Sequence, residues 1–179
     1  MTLDPAIGTL VIACIAFLFA SAGLHKLRDL GQFEQSFAAY DLAPWLVRLR
    51  ATWILPVAEI AVAAGLVIGA ARTAAVGAAI LLLSIYATAI AVNLARGRRD
   101  LACGCGGPND RRPIAAWMVW RNALIAVAAG TGLLPWSARP LGITDAITVA
   151  FGVLTVALVY LCIDQLFGNA GRAAAGGAR

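Results

Sequence analysis

Two long apolar runs of this chain are separated by the stretch Arg96-Gly-Arg-Arg-Asp-Leu-Ala-Cys103-Gly-Cys105-Gly-Gly-Pro-Asn-Asp-Arg-Arg112. The stretch is basic and rich in glycine, and its two cysteines are one residue apart. Arginines gain nothing from a buried apolar core, so this stretch is expected outside the hydrocarbon or in a wet pocket at its edge. The two thiols are therefore predicted to be reachable.

The composition indicates an integral membrane protein. Of the 179 residues, 61% are hydrophobic and 13% are charged, which is too apolar for a soluble domain with one core. The net charge of +5 does not indicate a nucleic-acid partner, because the arginines cluster in short loops without interleaved aromatic residues. Retention of those loops at an anionic lipid surface explains the charge. Four cysteines without a dense pattern argue against a disulfide-stapled secreted fold.

Five apolar runs are long enough to cross a bilayer, which takes about 20 residues. They lie near residues 6–24, 52–71, 73–95, 114–134 and 144–167. We therefore expect an all-α polytopic transmembrane bundle of four to five membrane helices, with five preferred. It would form one domain over residues 1–168, with a flexible tail at 169–179. No Lys or Arg precedes the first run, which favours an uncleaved membrane helix over a signal peptide.

A short interfacial helix is predicted between the first two runs. Asp29 can cap a segment in which Phe33, Phe37 and Tyr40 recur at helical spacing. Such a segment is expected to lie on the membrane surface.

The distribution of basic residues predicts an orientation. Five crossings place the first long loop, the cysteine stretch and the tail on one side, together with nearly all the Lys and Arg residues, whereas the other side has only Arg72 and Arg139. The positive-inside rule then places the cysteine stretch in the cytoplasm.

The pair Cys103 and Cys105 points to redox chemistry. Cysteines at i and i+2 can form a disulfide only in a bent backbone, which the neighbouring glycines permit. The resulting ring is small and strained, and strain makes such a bond an oxidant towards a partner thiol. Nearby guanidinium groups would stabilise a thiolate, and they belong to Arg98, Arg99, Arg111 and Arg112. The alternatives are an inert loop disulfide or half of a metal site, but two thiolates fall short of the usual four zinc ligands. No metal site is predicted.

A polar pocket is predicted beneath the cysteine stretch. Glu59 and Arg121 lie at matched depth in the second and fourth runs, so we expect them to form an ion pair. Asn122 and Asn93 would complete the hydrogen bonds, and His25 and Lys26 close the first helix on the same face. Two interpretations remain open: a pocket that positions a quinone headgroup or relays protons, and a structural ion pair that fixes helix register.

Two single residues have weaker signals. His25, the only histidine, is a candidate proton carrier, although histidines at helix ends are more often interfacial groups. Cys162 is close enough to the pocket for a resolving thiol, but a small core residue is the favoured interpretation.

Several motifs together resemble the MauE family of methylamine utilisation proteins, which is related to DoxX-like membrane proteins. They are the segment from Leu24 to Asp29, the segment from Ala39 to Leu42, Pro56 to Glu59, Asn93 to Arg98, Cys103 to Gly107, and Arg121-Asn122. The resemblance runs from about residue 5 to residue 165. Its most specific parts are the Cys-Gly-Cys stretch and the His25-Lys-Leu-Arg28 segment.

The resemblance implies an accessory protein for the maturation of methylamine dehydrogenase. In that role it would act with MauD, a membrane-anchored thioredoxin-like protein, to form or isomerise disulfides of the dehydrogenase small subunit. Cys103 and Cys105 would be the redox pair of a thiol-disulfide oxidoreductase component, in a multi-pass protein of the bacterial inner membrane. Disulfide formation in that enzyme is periplasmic, whereas the arginine distribution places the pair in the cytoplasm, so the side stays open. A non-catalytic scaffold and a thiol-based metal carrier are the alternatives.

Overall fold

The computed structural model of this chain describes residues 2–101 and 113–176, with side chains up to 166 except at 164. Within these residues the chain forms seven α-helices and two short 3₁₀ turns, and the predicted all-α class is confirmed. The α-helices are α1 Pro5–Arg28, α2 Leu30–Tyr40, α3 Pro44–Arg48, α4 Ile54–Val67, α5 Arg72–Ala95, α6 Ala116–Gly130 and α7 Ile143–Gly176. The 3₁₀ turns, Gly69–Ala71 and Thr131–Leu133, follow α4 and α6. The domain boundary predicted at 168 falls within α7 and stays a prediction.

Three segments are long and apolar enough to cross a membrane: Pro5–Arg28, Gly69–Ala95 and Ile143–Ile163. Helices α4 and α6 have 14 and 15 residues, fewer than the apolar runs that contain them. At 1.5 Å per residue they extend about 21–23 Å, less than the roughly 30 Å of a hydrocarbon layer. The predicted helical membrane bundle is confirmed. In the described residues, three of the five predicted spans contain a helix long enough to cross the hydrocarbon layer.

The helices run between two ends of the bundle. At one end, called here the cysteine-loop end, the Asn93 side chain at the end of α5 donates a hydrogen bond to the Tyr40 carbonyl of α2 at 3.2 Å. At the other end, the N-terminal end, Leu3 forms a single β-bridge with Trp136, and the Arg72 guanidinium stacks 3.8 Å from the Trp136 ring centroid. The first long loop and the beginning of the cysteine stretch thus share one end, as predicted.

The core lies between α1, α4, α5 and α6. Its most buried side chains include Phe19, Leu66, Val76 and Ala129. Helices α1 and α4 pack very closely at Gly23, where an added Cβ would lie 2.9 Å from the Pro56 carbonyl oxygen. This close approach brings polar side chains of α1 and α4 together beneath the cysteine-loop end.

Helix α7 packs on the outside of this core. Its Gly152 lies against Leu10 of α1, where an added Cβ would come within 2.7 Å of the leucine side chain. Most of its large apolar residues from Ile143 to Leu166 are exposed, which suits a helix surrounded by lipid.

The predicted interfacial helix is present as α2. The Asp29 carboxylate accepts a hydrogen bond from the Gln32 N–H at 3.0 Å, as expected for an N-cap. Phe33 and Phe37 are in contact, with ring centroids 6.1 Å apart. Asp41 ends the helix in the left-handed region, at φ 51°.

Candidate functional site

The described residues that flank Cys103 and Cys105 on either side, Leu101 and Ile114, are hydrogen-bonded to each other. The Ile114 N–H donates a hydrogen bond to the Leu101 carbonyl at 2.9 Å. Ile114 is buried and packs with Ile90 and Met118, so this contact is anchored on α5 and α6. Four predicted site residues of the stretch lie outside the described residues: Cys103, Cys105, Arg111 and Arg112.

Arg98 ties the beginning of the stretch to α2. Its guanidinium donates hydrogen bonds to the Ala39 carbonyl at 2.8 Å and to the Asn93 side-chain oxygen at 3.3 Å. Asn93 is fully buried and in turn donates to the Tyr40 carbonyl. Arg98, predicted to stabilise a thiolate, therefore also joins α2 to α5, whereas Arg99 is exposed.

A buried ion pair lies beneath the cysteine-loop end, between Lys26 of α1 and Glu59 of α4. The Tyr86 hydroxyl of α5 donates a hydrogen bond to the same carboxylate at 2.8 Å. The predicted ion pair between Glu59 and Arg121 is wrong. Matched depth fixes a residue's position along the helix axis but not its direction around that axis, and Glu59 faces α1, its close neighbour.

The environment of this cluster is closed and asymmetric. Lys26 and Glu59 are only 7% and 1% exposed. Both donors reach one carboxylate oxygen, Oε1, while Oε2 has no hydrogen-bond partner among the described residues. The Lys26 ammonium also lies over two aromatic rings, 4.9 Å from the Tyr86 centroid and 5.6 Å from that of Phe33, which stabilises its charge. The cluster joins α1, α2, α4 and α5.

Tyr86 belongs to this buried cluster, and sequence reasoning missed it. Its signal was a hydroxyl-bearing aromatic residue inside an apolar run, away from the helix ends where aromatic belts occur.

Arg121 lies elsewhere. Its guanidinium is 5.1 Å from the Trp117 ring centroid and 5.7 Å from that of Tyr160. These contacts join α6 to α7, so the single predicted pocket is divided between separate groups of helices.

The other candidates are also dispersed. His25 is exposed, although it is adjacent in sequence to Lys26. Asn122 is buried and donates a hydrogen bond to the Met118 carbonyl of its own helix at 2.9 Å. Cys162 is exposed and not packed in the core, so the favoured interpretation of Cys162 as a core residue is wrong.

An exposed ion cluster at the N-terminal end was not anticipated. Arg139 binds Asp4, the N-cap of α1, at 3.0 Å and Asp145, in the first turn of α7, at 2.9 Å. The hydrogen bond from the Arg139 side chain lowers the pKa of the Asp4 carboxyl below its ordinary value. Hydrogen bonds to Asp145 and Asp4 raise the pKa of Arg139. This cluster fixes the start of α1 to the loop before α7.

The fold and these contacts define a polytopic helical membrane protein that has a tethered cysteine stretch and a buried ion pair at the same end. Residues 4–137 match the family model described as methylamine utilisation protein MauE. The chain belongs to the MauE family, and the resemblance drawn from its motifs is confirmed.

Curated relatives agree over most of the chain. A methylamine utilization protein MauE of Paracoccus denitrificans is 35% identical over 157 residues, covering 86% of this chain and 83% of the relative. That of Paracoccus versutus is 37% identical over 166 residues, covering 92% and 89%. That of Methylorubrum extorquens is 37% identical over 160 residues, covering 88% and 86%. No solved structure matches the chain.

Proposed function

We propose that this protein is a thiol-disulfide redox component of the bacterial inner membrane, with Cys103 and Cys105 as its redox pair. It acts with a thioredoxin-like partner, MauD, in forming or isomerising disulfides during the maturation of methylamine dehydrogenase. Membership of a methylamine utilisation family supports the pathway. The observation that carries the chemistry is a Cys-Gly-Cys sequence in a stretch whose two flanks are hydrogen-bonded to each other at one end of a membrane bundle.

The proposed cycle is a pair of thiol-disulfide exchanges. A thiolate of the partner attacks one sulfur of the Cys103–Cys105 disulfide, which forms a mixed disulfide and releases the other cysteine as a thiolate. The second thiol of the partner then attacks the mixed disulfide. The partner leaves oxidised, and Cys103 and Cys105 have gained two electrons and two protons. A membrane quinone accepts these electrons and protons, becomes a quinol and restores the disulfide.

Serine variants test the redox pair. In cells that require methylamine dehydrogenase, Cys103→Ser and Cys105→Ser should each abolish its maturation. One of the two should accumulate a mixed disulfide with the thioredoxin-like partner, detectable on non-reducing gels. Cys14→Ser and Cys162→Ser are matched controls outside the stretch and should keep full maturation.

Each alternative predicts a different result. If a protein with both Cys103 and Cys105 replaced still supports maturation, the redox proposal fails and a non-catalytic scaffold takes its place. If the reduced protein instead binds stoichiometric soft metal and exchanges no disulfide with the partner, it is a metal carrier.

Thiol labelling decides the side of the membrane. Periplasmic disulfide chemistry predicts that an impermeant maleimide labels reduced Cys103 and Cys105 in intact cells, whereas the arginine distribution predicts labelling only in inverted vesicles. Comparison with and without reductant gives the oxidation state in the same experiment.

A further inference from the structure

A groove of about 240 Å³ lies between α5 and α6. The groove exists because the facing side chains are small: Ala87 on α5, and Ala123 and Ala126 on α6. Its volume is below the roughly 300–1,000 Å³ of sites for drug-sized ligands, which suits a single ring. The groove thus has room for a compact headgroup.

Three polar side chains line this groove at the depth of the hydrocarbon: Ser84, Thr88 and Asn122. Thr88 is seven residues from the end of α5 and Asn122 six residues from the start of α6, so both lie about 10 Å from the cysteine-loop end. Ser, Thr and Asn side chains are common between membrane helices, where they form hydrogen bonds, so the partners of these three groups decide whether they are available to a ligand.

Two of these groups have unused hydrogen-bonding capacity. Ser84 and, on α7, Thr148 and Thr155 each donate to the carbonyl four residues back, as hydroxyls in apolar helices commonly do. Within residues 2–101 and 113–176, no such bond is made by the Thr88 hydroxyl. Asn122, only 5% exposed, uses its amide nitrogen on its own helix, and its carbonyl oxygen has no donor in the same described residues.

The surface beside the groove is apolar, as expected where a helix bundle meets lipid. Large apolar side chains flank it on both helices and are exposed, with Ile85 on α5 at 46% and Leu124 and Val127 on α6 at 68% and 71%. A ligand would therefore enter from the bilayer, which favours a membrane-soluble molecule with an apolar tail.

We propose that the groove between α5 and α6 binds the headgroup of a membrane quinone, the two-electron acceptor that reoxidises the dithiol. This inference deepens the proposed function and rests on it. The Thr88 hydroxyl donates to a quinone carbonyl oxygen, and the Asn122 carbonyl oxygen accepts from a hydroxyl of the quinol product. The overall step is balanced: two thiols lose two electrons and two protons and form one S–S bond, while one quinone becomes one quinol. A lipid acyl chain, by contrast, offers neither a donor nor an acceptor to these groups.

The test separates binding from redox chemistry. The full-length Cys103→Ser/Cys105→Ser protein is placed in lipid nanodiscs and illuminated with a short-chain azido-benzoquinone, and labelled peptides are identified. Label is expected on residues 80–90 and 120–127, and an excess of the unlabelled quinone should prevent it. Thr88→Val removes one hydrogen bond at nearly constant shape and should weaken binding about three- to tenfold. Thr155→Val, a lipid-facing control on α7, should not change it.

Three results would overturn the site: label on α7 instead of α5 and α6, label that unlabelled quinone does not prevent, and equal affinity of Thr88→Val and the parent. The second of these is the result expected if lipid alone fills the groove. A different outcome is that unlabelled quinone prevents labelling of the groove even though Cys103 and Cys105 prove dispensable for maturation. In that case the redox proposal fails, and the quinone-binding site remains supported.

Discussion

Replacing Lys26 by methionine tests whether the buried ion pair holds the bundle together. Lys26 and Glu59 are 7% and 1% exposed, so Lys26→Met leaves a carboxylate in an apolar interior with only Tyr86 as a donor. Breaking a buried pair by removing one partner typically destabilises a protein by about 3–5 kcal/mol. Tyr86→Phe removes one hydrogen bond to a charged group and should destabilise it by only about 1.5–3 kcal/mol.

The double variant Lys26→Met/Glu59→Gln supplies the decisive comparison. Because it removes both charges, it should recover most of the stability lost in Lys26→Met, which gives a coupling energy of about 3 kcal/mol. Reversible unfolding in mixed micelles, followed by tryptophan fluorescence, measures five proteins: the parent, the single variants Lys26→Met, Glu59→Gln and Tyr86→Phe, and the double variant. A loss below about 1 kcal/mol for Lys26→Met, or additive effects of the two single changes, would refute the reasoning.

The same double variant distinguishes the two interpretations of the pair. If the pair only fixes the packing of α1 on α4, a stable double variant keeps its maturation activity. Full stability with lost activity would instead indicate that the Lys26–Glu59 pair takes part in moving protons.

Three further predictions concern packing and pH. Gly23→Val places side-chain atoms against the backbone of α4, so it should separate α1 from α4 and lower the thermal stability in detergent, whereas Gly77→Val, in open space, should have little effect. Arg98→Leu removes the two side-chain hydrogen bonds from Arg98 to the Ala39 carbonyl of α2 and to Asn93 of α5, and hydrogen exchange of α2 amides should become faster. The pKa of Asp4 is lowered by Arg139, so its stabilisation is complete above about pH 4 and is lost as pH falls through the lower folded-state pKa. Asp4→Asn should remove this acid dependence from the melting temperature, and an unchanged pH profile would contradict it.

Much of the fold could be predicted from apolar run length and helix-capping signals. The five runs each contain a bundle helix, and the Asp29 cap and the aromatic spacing located α2. The lengths of α4 and α6 could not be predicted, because apolar residues continue beyond the helices. The chain leaves helical geometry at Ile68, where ψ is 108°, and enters it only after Ala115, where ψ is 156°.

Sequence reasoning identified Lys26 and Glu59 as polar residues at the same end of the bundle, but it did not predict that they pair with each other. Glu59, Lys26, Asn93 and Asn122 are all buried, as intramembrane polar groups should be. Which of these residues pair depends on the rotation of each helix about its own axis. Apolar residues are spread too evenly around these helices for the sequence to predict that rotation. Tyr86 was missed for the same reason, since only packing shows that its hydroxyl meets a carboxylate.

The hydrogen bond between Leu101 and Ile114 has a consequence for how this protein can change. It joins Leu101 to Ile114, which packs against Ile90 of α5 and Met118 of α6, so the residues between these two positions leave and re-enter the bundle at neighbouring, anchored points. Adding three or four residues between Leu101 and Ile114 would raise the entropic cost of bringing these two residues together by only a few tenths of a kcal/mol. The sequence between Leu101 and Ile114 can therefore vary in evolution or in design, and with it the choice of partner protein, while the membrane helices stay unchanged.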